Sequence, residues 1–170
     1  MKATKQPPVL IREMTLEDLS IVFELGSRLF RAEDTPTLYR CWSEEDILKL
    51  YENHRETCLV ATVSDTIAGF ALGSLLEKPG NAWRYGWLDW LGVDPSCSRR
   101  RIARRLVKQL QERFVDREVR IMLVDTSEGN EKALDFFRKA GFGQEIRHVY
   151  MSLNLDTHPK AIERKYSMEL

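Results

Sequence analysis

The sequence predicts an α/β fold, a mixed β-sheet with helices on its faces. Three observations point there. Short β-branched or aromatic runs are joined by tight turns in the first half. A strand, helix, strand, helix alternation follows in the second half, and segregated strands next to a βαβ unit require a mixed sheet. The chain is 170 residues long and 43% hydrophobic, enough for one domain with a buried core and too apolar for disorder.

Each element has its own signal. Val9–Glu13 is a short first strand after a Pro-containing leader. Thr15 to Asp18 has the spacing of a capping box, and Leu19, Val22, Phe23, Gly26, Leu29 and Phe30 follow at helical spacing. Residues 31–42 form a loop broken by Pro36. Ser43 opens a second helix with Ile47, Leu50 and Tyr51 on one face. Thr57–Val63 and Ile67–Leu76 are the next strands, and Gly69 and Gly73 inside the latter predict close packing or a bulge. Lys78-Pro-Gly-Asn81 is a turn, and Trp83–Val93 is a long aromatic strand.

A basic amphipathic helix then spans about Arg101–Phe114, burying Ile102, Ala103, Leu106, Val107, Leu110 and Phe114. Val119–Val124 is nearly continuously apolar, as for a strand covered on both faces. A last helix follows Asn130 and stops at Gly141. Phe142–Leu153 closes the sheet, giving six to seven strands. Residues 1–155 form a single domain, and 156–170 a polar tail.

Bulk properties narrow the function. Lys plus Arg and Asp plus Glu both number 26, so the formal net charge is zero, which speaks against a dedicated nucleic-acid binder. No apolar run has membrane-spanning length, and the N-terminus lacks a signal-peptide core. Cys41, Cys58 and Cys97 are an odd set without metal-ligand spacing, and the three histidines are scattered. A reducing, cytoplasmic home without a metal is the expectation.

The segment with the most chemistry is Leu88–Val107. Its strand ends at Val93, Pro95 punctuates a loop, and six of the ten residues from Arg99 to Lys108 are Lys or Arg. A strand entering a helix N-terminus through such a loop offers backbone N–H groups and a favourable dipole to a phosphate. A solvated basic face accounts for most of these arginines, with one or two on a phosphate.

Two segments together resemble the GCN5-related N-acetyltransferase (GNAT) superfamily, over roughly residues 9–155. They are Val93-Asp-Pro with the following Arg-Arg-Arg-Ile-Ala103-Arg-Arg-Leu, and Asn130-Glu-Lys-Ala133-Leu-Asp-Phe-Phe-Arg-Lys-Ala-Gly141-Phe142. The resemblance implies that acetyl-CoA sits between splayed strands ending at Val93 and Val124. Leu91, Gly92 and Val93 then meet the cofactor through backbone. Ser98, Arg99, Arg100, Arg101, Ile102, Ala103 and Arg104 meet its phosphates. Asn130, Ala133, Phe136 and Phe137 lie along its pantetheine arm.

The implied reaction is acetyl transfer to a primary amine of a small molecule, a peptide or a protein N-terminus, by direct attack on the thioester. No metal, nucleic acid or membrane is implied, and pairing of exposed strands as a homodimer is a common route in such folds. Two positions depart from the family pattern. Arg101 stands where the phosphate loop usually has its first glycine, with Ser98 in place of a long polar side chain. Phe137 stands where many relatives carry a tyrosine that protonates the leaving thiolate, and Tyr150 is the nearest candidate replacement.

Asp89, between Trp87 and Trp90 in sequence neighbourhood, is the candidate base: desolvation there raises a carboxyl pKa. A structural carboxylate paired with an arginine or a backbone N–H is the alternative. With uninterrupted alternation Asp89 shares a face with Trp87, Leu91 and Val93. Tyr85 and Trp87 are acceptor-pocket or core residues; the resemblance puts Glu33 and Asp34 beside the acceptor, where they favour a cationic substrate unless they are simply solvated loop acids. The competing function is a catalytically impaired protein of the same fold that binds CoA or a protein partner.

Overall fold

The computed structural model describes residues 7–31, 41–77, 80, 83–149 and 151–167. Its five-stranded sheet runs in sequence order: β1 (Val9–Glu13), β2 (Cys58–Val63), β3 (Thr66–Glu77), β4 (Arg84–Val93) and β5 (Val119–Val124). The first four are antiparallel neighbours, and β5 lies parallel to β4. The helices are α1 (Leu19–Leu29), α2 (Glu44–His54), α3 (Ile102–Asp116), α4 (Glu131–Lys139) and α5 (Pro159–Ser167).

The sheet separates two cores. On one face α3 buries Ile102, Leu106, Val107, Leu110 and Phe114 against Leu59, Ala61, Ala71 and Leu88. This is the stripe its 3.6-residue periodicity prescribes, except that Ala103 stays half-buried. On the other face α1 and α2 bury Val22, Leu25, Ile47 and Tyr51 against Val60, Phe70, Leu72 and Trp90. Small residues let the α3 side close tightly. A Cβ at Gly86 would stand 2.7 Å from Phe114 Cδ2, and one at Gly73 would stand 2.9 Å from its Cζ.

Local signals mostly deliver the elements they predict. The Thr15 backbone N–H donates to Asp18 Oδ2 at 2.8 Å, and Arg12 donates to both Asp18 oxygens at 2.6 and 2.9 Å. The first helix entry is thereby locked to β1. Ser43 caps α2 through the Asp46 N–H at 3.2 Å, and Asn130 caps α4 through the Ala133 N–H at 3.1 Å.

Three expectations are corrected. The sheet has five strands rather than six to seven, because residues 142–149 and 151–154 form no strand. Gln144 has φ 54°, which breaks extension just after α4. Arg138 of α4 then holds Glu145 at 2.6 Å, and Arg147 pairs with Glu128 at 2.9 Å, so the segment is tied to α4 and the turn before it rather than to a ladder. As a consequence β5 is an edge strand with mostly half-buried residues, not one covered on both faces. Within the expected polar tail, Pro159–Ser167 forms a helix, started by a proline whose missing N–H costs nothing at that position.

Candidate functional site

The slot begins where β5 stops. The parallel pairing of β4 with β5 runs from Arg84 to Leu88, which faces Val124, while β4 continues to Val93. Among the described residues Asp89–Val93 therefore has a partner strand, β3, on one side only. The Asp94 N–H donates to Ala68 O on β3 at 2.9 Å. Strand alternation then turns the N–H and C=O groups of Leu91 and Val93 away from β3, toward the opening.

Asp89 is the extra residue of a β-bulge. Trp90 faces Leu72 and Leu88 faces Gly73, so β4 spends two steps where β3 spends one. Gly73, an interior glycine of β3, sits opposite this bulge. The bulge overturns the expected face-sharing. Before it, Leu88 lies on the α3 face and Trp87 on the other. After it, Leu91 and Val93 pack against the α3 cluster, while Trp90 joins the α1 and α2 cluster. Asp89 thus lies on the side of Trp87 and Trp90 and opposite Leu91 and Val93. A Cβ at Gly92 would meet Phe70 at 2.6 Å and Leu29 at 2.9 Å, so only glycine fits there.

The loop after β4 leads from the strand end into the α3 N-terminus. Asp94 accepts the Ser96 N–H at 2.8 Å, and the Ser96 hydroxyl, followed by that N–H, holds its carboxyl below the usual range. The chain then passes through two left-handed residues, Arg99 (φ 69°) and Arg101 (φ 57°), before α3 starts at Ile102. Arg101 thus adopts the conformation for which glycine is the ordinary choice.

A cavity of about 410 Å³ opens at this turn. It is lined by Val93, Cys97, Ser98, Arg99, Arg100, Arg101, Ile102, Ala103 and Arg104, and by Phe136 and Lys139 of α4 with Ala140 at its C-terminal cap. Helix N-terminal N–H groups and cationic side chains on one concavity are the donor set a pyrophosphate needs. Arg100 is partly committed elsewhere, donating to the Pro7 carbonyl. Lys139 carries a charge in this cavity that the sequence pattern alone did not single out.

A second cavity, about 470 Å³, lies on the α2 side of β4. Asp89 and Trp90 form its sheet wall. Asp46, Lys49, Leu50, Asn53 and His54 of α2 line it as well, together with Cys41. His54 is half-buried, and desolvation pushes its imidazole below the ordinary histidine range, opposed by the Asp89 charge. Burial pushes the Cys58 thiol up to about 12, with the Asp89 charge adding to the effect, so this thiol stays protonated. The spacing of α2 hid these residues. Its apolar face was legible, but which polar face meets the bulge depends on how α2 sits on the sheet.

The remaining expected residues divide. Phe136 reaches the loop cavity, whereas Phe137 stacks edge-on with Phe136 and Phe142 at 5.2 and 5.4 Å. Asn130 and Ala133 meet in the helix cap and line neither cavity. Trp87 donates from Nε1 to Asp125 Oδ1 at 3.1 Å, and Tyr85, two residues earlier, shares its face. Neither lines a cavity described above. Glu33, Asp34 and Tyr150 lie outside the described residues. Among the described residues no group of three metal-ligating side chains is assembled, and no helix is long and apolar enough to cross a membrane.

Solved structures share this architecture. An aminoglycoside acetyltransferase from an uncultured soil metagenomic sample, in complex with trehalose, superposes with a TM-score of 0.66 at 21% identity, over 86% of this chain and 97% of that one. The aminoglycoside acetyltransferase AAC(6')-Iy, bound to a bisubstrate analogue joining CoA to acetylneamine, gives 0.68 at 20% identity over 86% and 99%. A transcriptional regulator from Bacillus halodurans C-125 gives 0.70 at 18% identity over 86% and 100%. At such identities these likenesses establish the fold. The model of the acetyltransferase (GNAT) family matches residues 24–142, most of the chain, and so the protein belongs to the GNAT acetyltransferase family.

Proposed function

We propose that this acetyltransferase transfers an acetyl group from acetyl-CoA to a primary amine, with the acceptor bound in the cavity between α2 and the β4 bulge. The observation that carries the reading is the course of β4: it outruns β5 by five residues and feeds directly into the arginine-rich turn at the α3 N-terminus. One strand end thereby borders both cavities. Acetyl-CoA supplies the thioester whose C–S bond breaks as the N–C bond forms.

The chain's own residues provide the rest. The N–H groups around Ile102–Arg104, with Ser98, Arg99, Arg101 and Lys139, hold the diphosphate. The outward N–H groups of Leu91 and Val93 align the acyl-bearing arm, and one of them polarises the carbonyl. Asp89 takes the proton that an acceptor ammonium must lose before it attacks. Asp46 and Asp89 on the same concavity favour a cationic small amine over a neutral one. Phe137 cannot donate a proton, so the second amine proton passes to the departing thiolate directly or through water.

A non-catalytic CoA-binding role is the second reading, favoured by Phe137 and by the arginine at the loop's glycine position. We further propose a homodimer, supported by the β5 edge, open among the described residues, and by the exposed apolar residues after Phe142. Calorimetric titration with acetyl-CoA, then thiol release over a panel of amines that includes sisomicin, separates the readings. Saturable binding with turnover on a cationic amine is expected. Binding without turnover on any amine selects the second reading, and no binding defeats both.

A further inference from the structure

We propose that His54 is a positioning residue for Asp89, its imidazole holding the bulge carboxylate in place on the shared cavity wall. The inference rests on the acceptor-site reading above. It starts from how the end of α2 is fastened. Thr57, almost fully buried, places its hydroxyl 2.9 Å from the His54 carbonyl and 2.7 Å from the Gly73 carbonyl. Gly73 is the β3 residue opposite the bulge that Asp89 creates. The last turn of α2 is therefore tied to β3 directly opposite Asp89 and its bulge.

The imidazole is fixed as well. The Leu75 N–H, two residues along β3 from Gly73, points at His54 Nδ1 at 3.4 Å. A ring accepting at Nδ1 carries its proton on Nε2 when neutral, so it presents a donor to its remaining surroundings. Those surroundings hold few charges. Asp46 and Lys49 come from α2, Lys49 being paired with Glu45 at 2.7 Å; Cys58 comes from β2 and stays a thiol. From β4 the charged group is Asp89, whose field reaches His54.

Burial keeps the ring neutral near pH 7, and a neutral Nε2–H favours the ionised carboxylate without cancelling its charge. A carboxylate so held accepts the ammonium proton of the acceptor onto its oxygen. His54 itself stays singly protonated throughout. When pH falls far enough to charge the ring, the imidazolium holds Asp89 as the anion more strongly and makes it a poorer base. Turnover then falls on the acid side together with His54.

Two measurements test this in the full chain. The first follows the His54 ring by NMR against pH in the wild type and in Asp89→Asn. The expected midpoint lies below 6.5 in the wild type and lower still in Asp89→Asn, because the anion that raises it is gone. An unchanged midpoint overturns the proposal. The second measures acetyl transfer to sisomicin. In His54→Leu, kcat falls about tenfold, a fraction of the effect of a general base itself, while KM and acetyl-CoA affinity hold. In His54→Gln, which keeps a donor, kcat largely recovers and the acid limb of the pH profile shifts. Equal kcat and identical profiles in all three proteins overturn the proposal. If the wild type acetylates no amine, the acceptor-site reading fails, while the NMR measurement still decides the coupling.

Discussion

His54 and Asp89 line one cavity, the first from the last residue of α2 and the second from a bulge in β4. The bulge adds Trp90 to the same wall, beside Asp89. Without it Asp89 would continue a strict alternation, and Trp90 would face α3 instead of the α1 and α2 aromatic cluster. Asp89→Asn keeps the volume and the bulge but removes the proposed base. Its kcat is expected to fall by about 10²-fold or more with acetyl-CoA affinity unchanged, read by steady-state kinetics beside calorimetry. A kcat within about threefold of wild type would place the base elsewhere.

Arg101 occupies left-handed backbone immediately before α3. A non-glycine residue there costs about 1–2 kcal/mol, and glycine relieves it while losing some entropy in the unfolded chain. Arg101→Gly should therefore raise stability by about 0.5–1 kcal/mol in denaturant melts, whereas Arg101→Ala should not. Four further cations, Arg99, Arg100, Arg104 and Lys139, remain in that cavity, so the acetyl-CoA Kd should rise only a few-fold. A loss of binding in Arg101→Gly would mean that its guanidinium is a principal phosphate contact.

How legible was this site in the sequence? The loop was readable because its chemistry is local: strand, proline, arginines and helix start are contiguous, and backbone donors follow from the helix itself. Asn130 was readable as a cap for the same reason. The acceptor side was not, because its members come from α2 and β4, some 35 residues apart in the chain for His54 and Asp89. Period-two reasoning also carries an error through a bulge: one extra residue moved Leu91 and Val93 to the opposite face from Asp89. The alternating residues after Phe142 carry a real strand pattern, but a pattern forms a strand only where an edge receives it.

Trp42 lies flat on Gly26 of α1, and a Cβ at that glycine would overlap the indole. The same indole donates to the Phe23 carbonyl at 2.9 Å and packs against Phe70 and Trp90, with ring centroids 5.3 and 5.0 Å away. Gly26→Ala must displace Trp42 from its partners. A loss of about 1–3 kcal/mol is expected, as for other overpacked cores, with a change in tryptophan fluorescence. Because Trp90 also walls the cavity proposed for the acceptor, KM for the amine should rise while acetyl-CoA affinity holds.

The Arg12 hydrogen bonds, chiefly, hold the Asp18 carboxyl below its ordinary value of 3.8, aided by the Thr15 N–H and hydroxyl. A carboxyl with a depressed folded pKa stabilises the fold above the unfolded pKa, and that contribution disappears as pH falls through the folded value. Wild-type stability should thus decline from about pH 5 downward partly through this group. Asp18→Asn should cost about 1–2 kcal/mol at pH 7 and flatten that acid dependence. Equal pH slopes in the two proteins would show that Asp18 titrates alike in both states.

Ile146, Val149, Met151, Leu153 and Leu155 are 78, 86, 93, 82 and 62% exposed. Together they present apolar area on the order of 500 Å², at the level where a surface patch marks an interface rather than chance. Among the described residues the outer edge of β5 is unpaired too, and an open edge beside an unpartnered alternating segment invites pairing. Two such copies meeting through a twofold axis satisfy both, each giving its segment to the other's β5. Sedimentation of the full chain should show a dimer at micromolar concentration, and Val149→Glu with Leu153→Glu should convert it to a folded monomer. Since these residues touch no buried core in one chain, the double variant should keep its melting cooperativity. A wild type that sediments as a monomer across this range would mean that the segment folds onto β5 of its own chain. The variant would then lose stability instead of changing its mass.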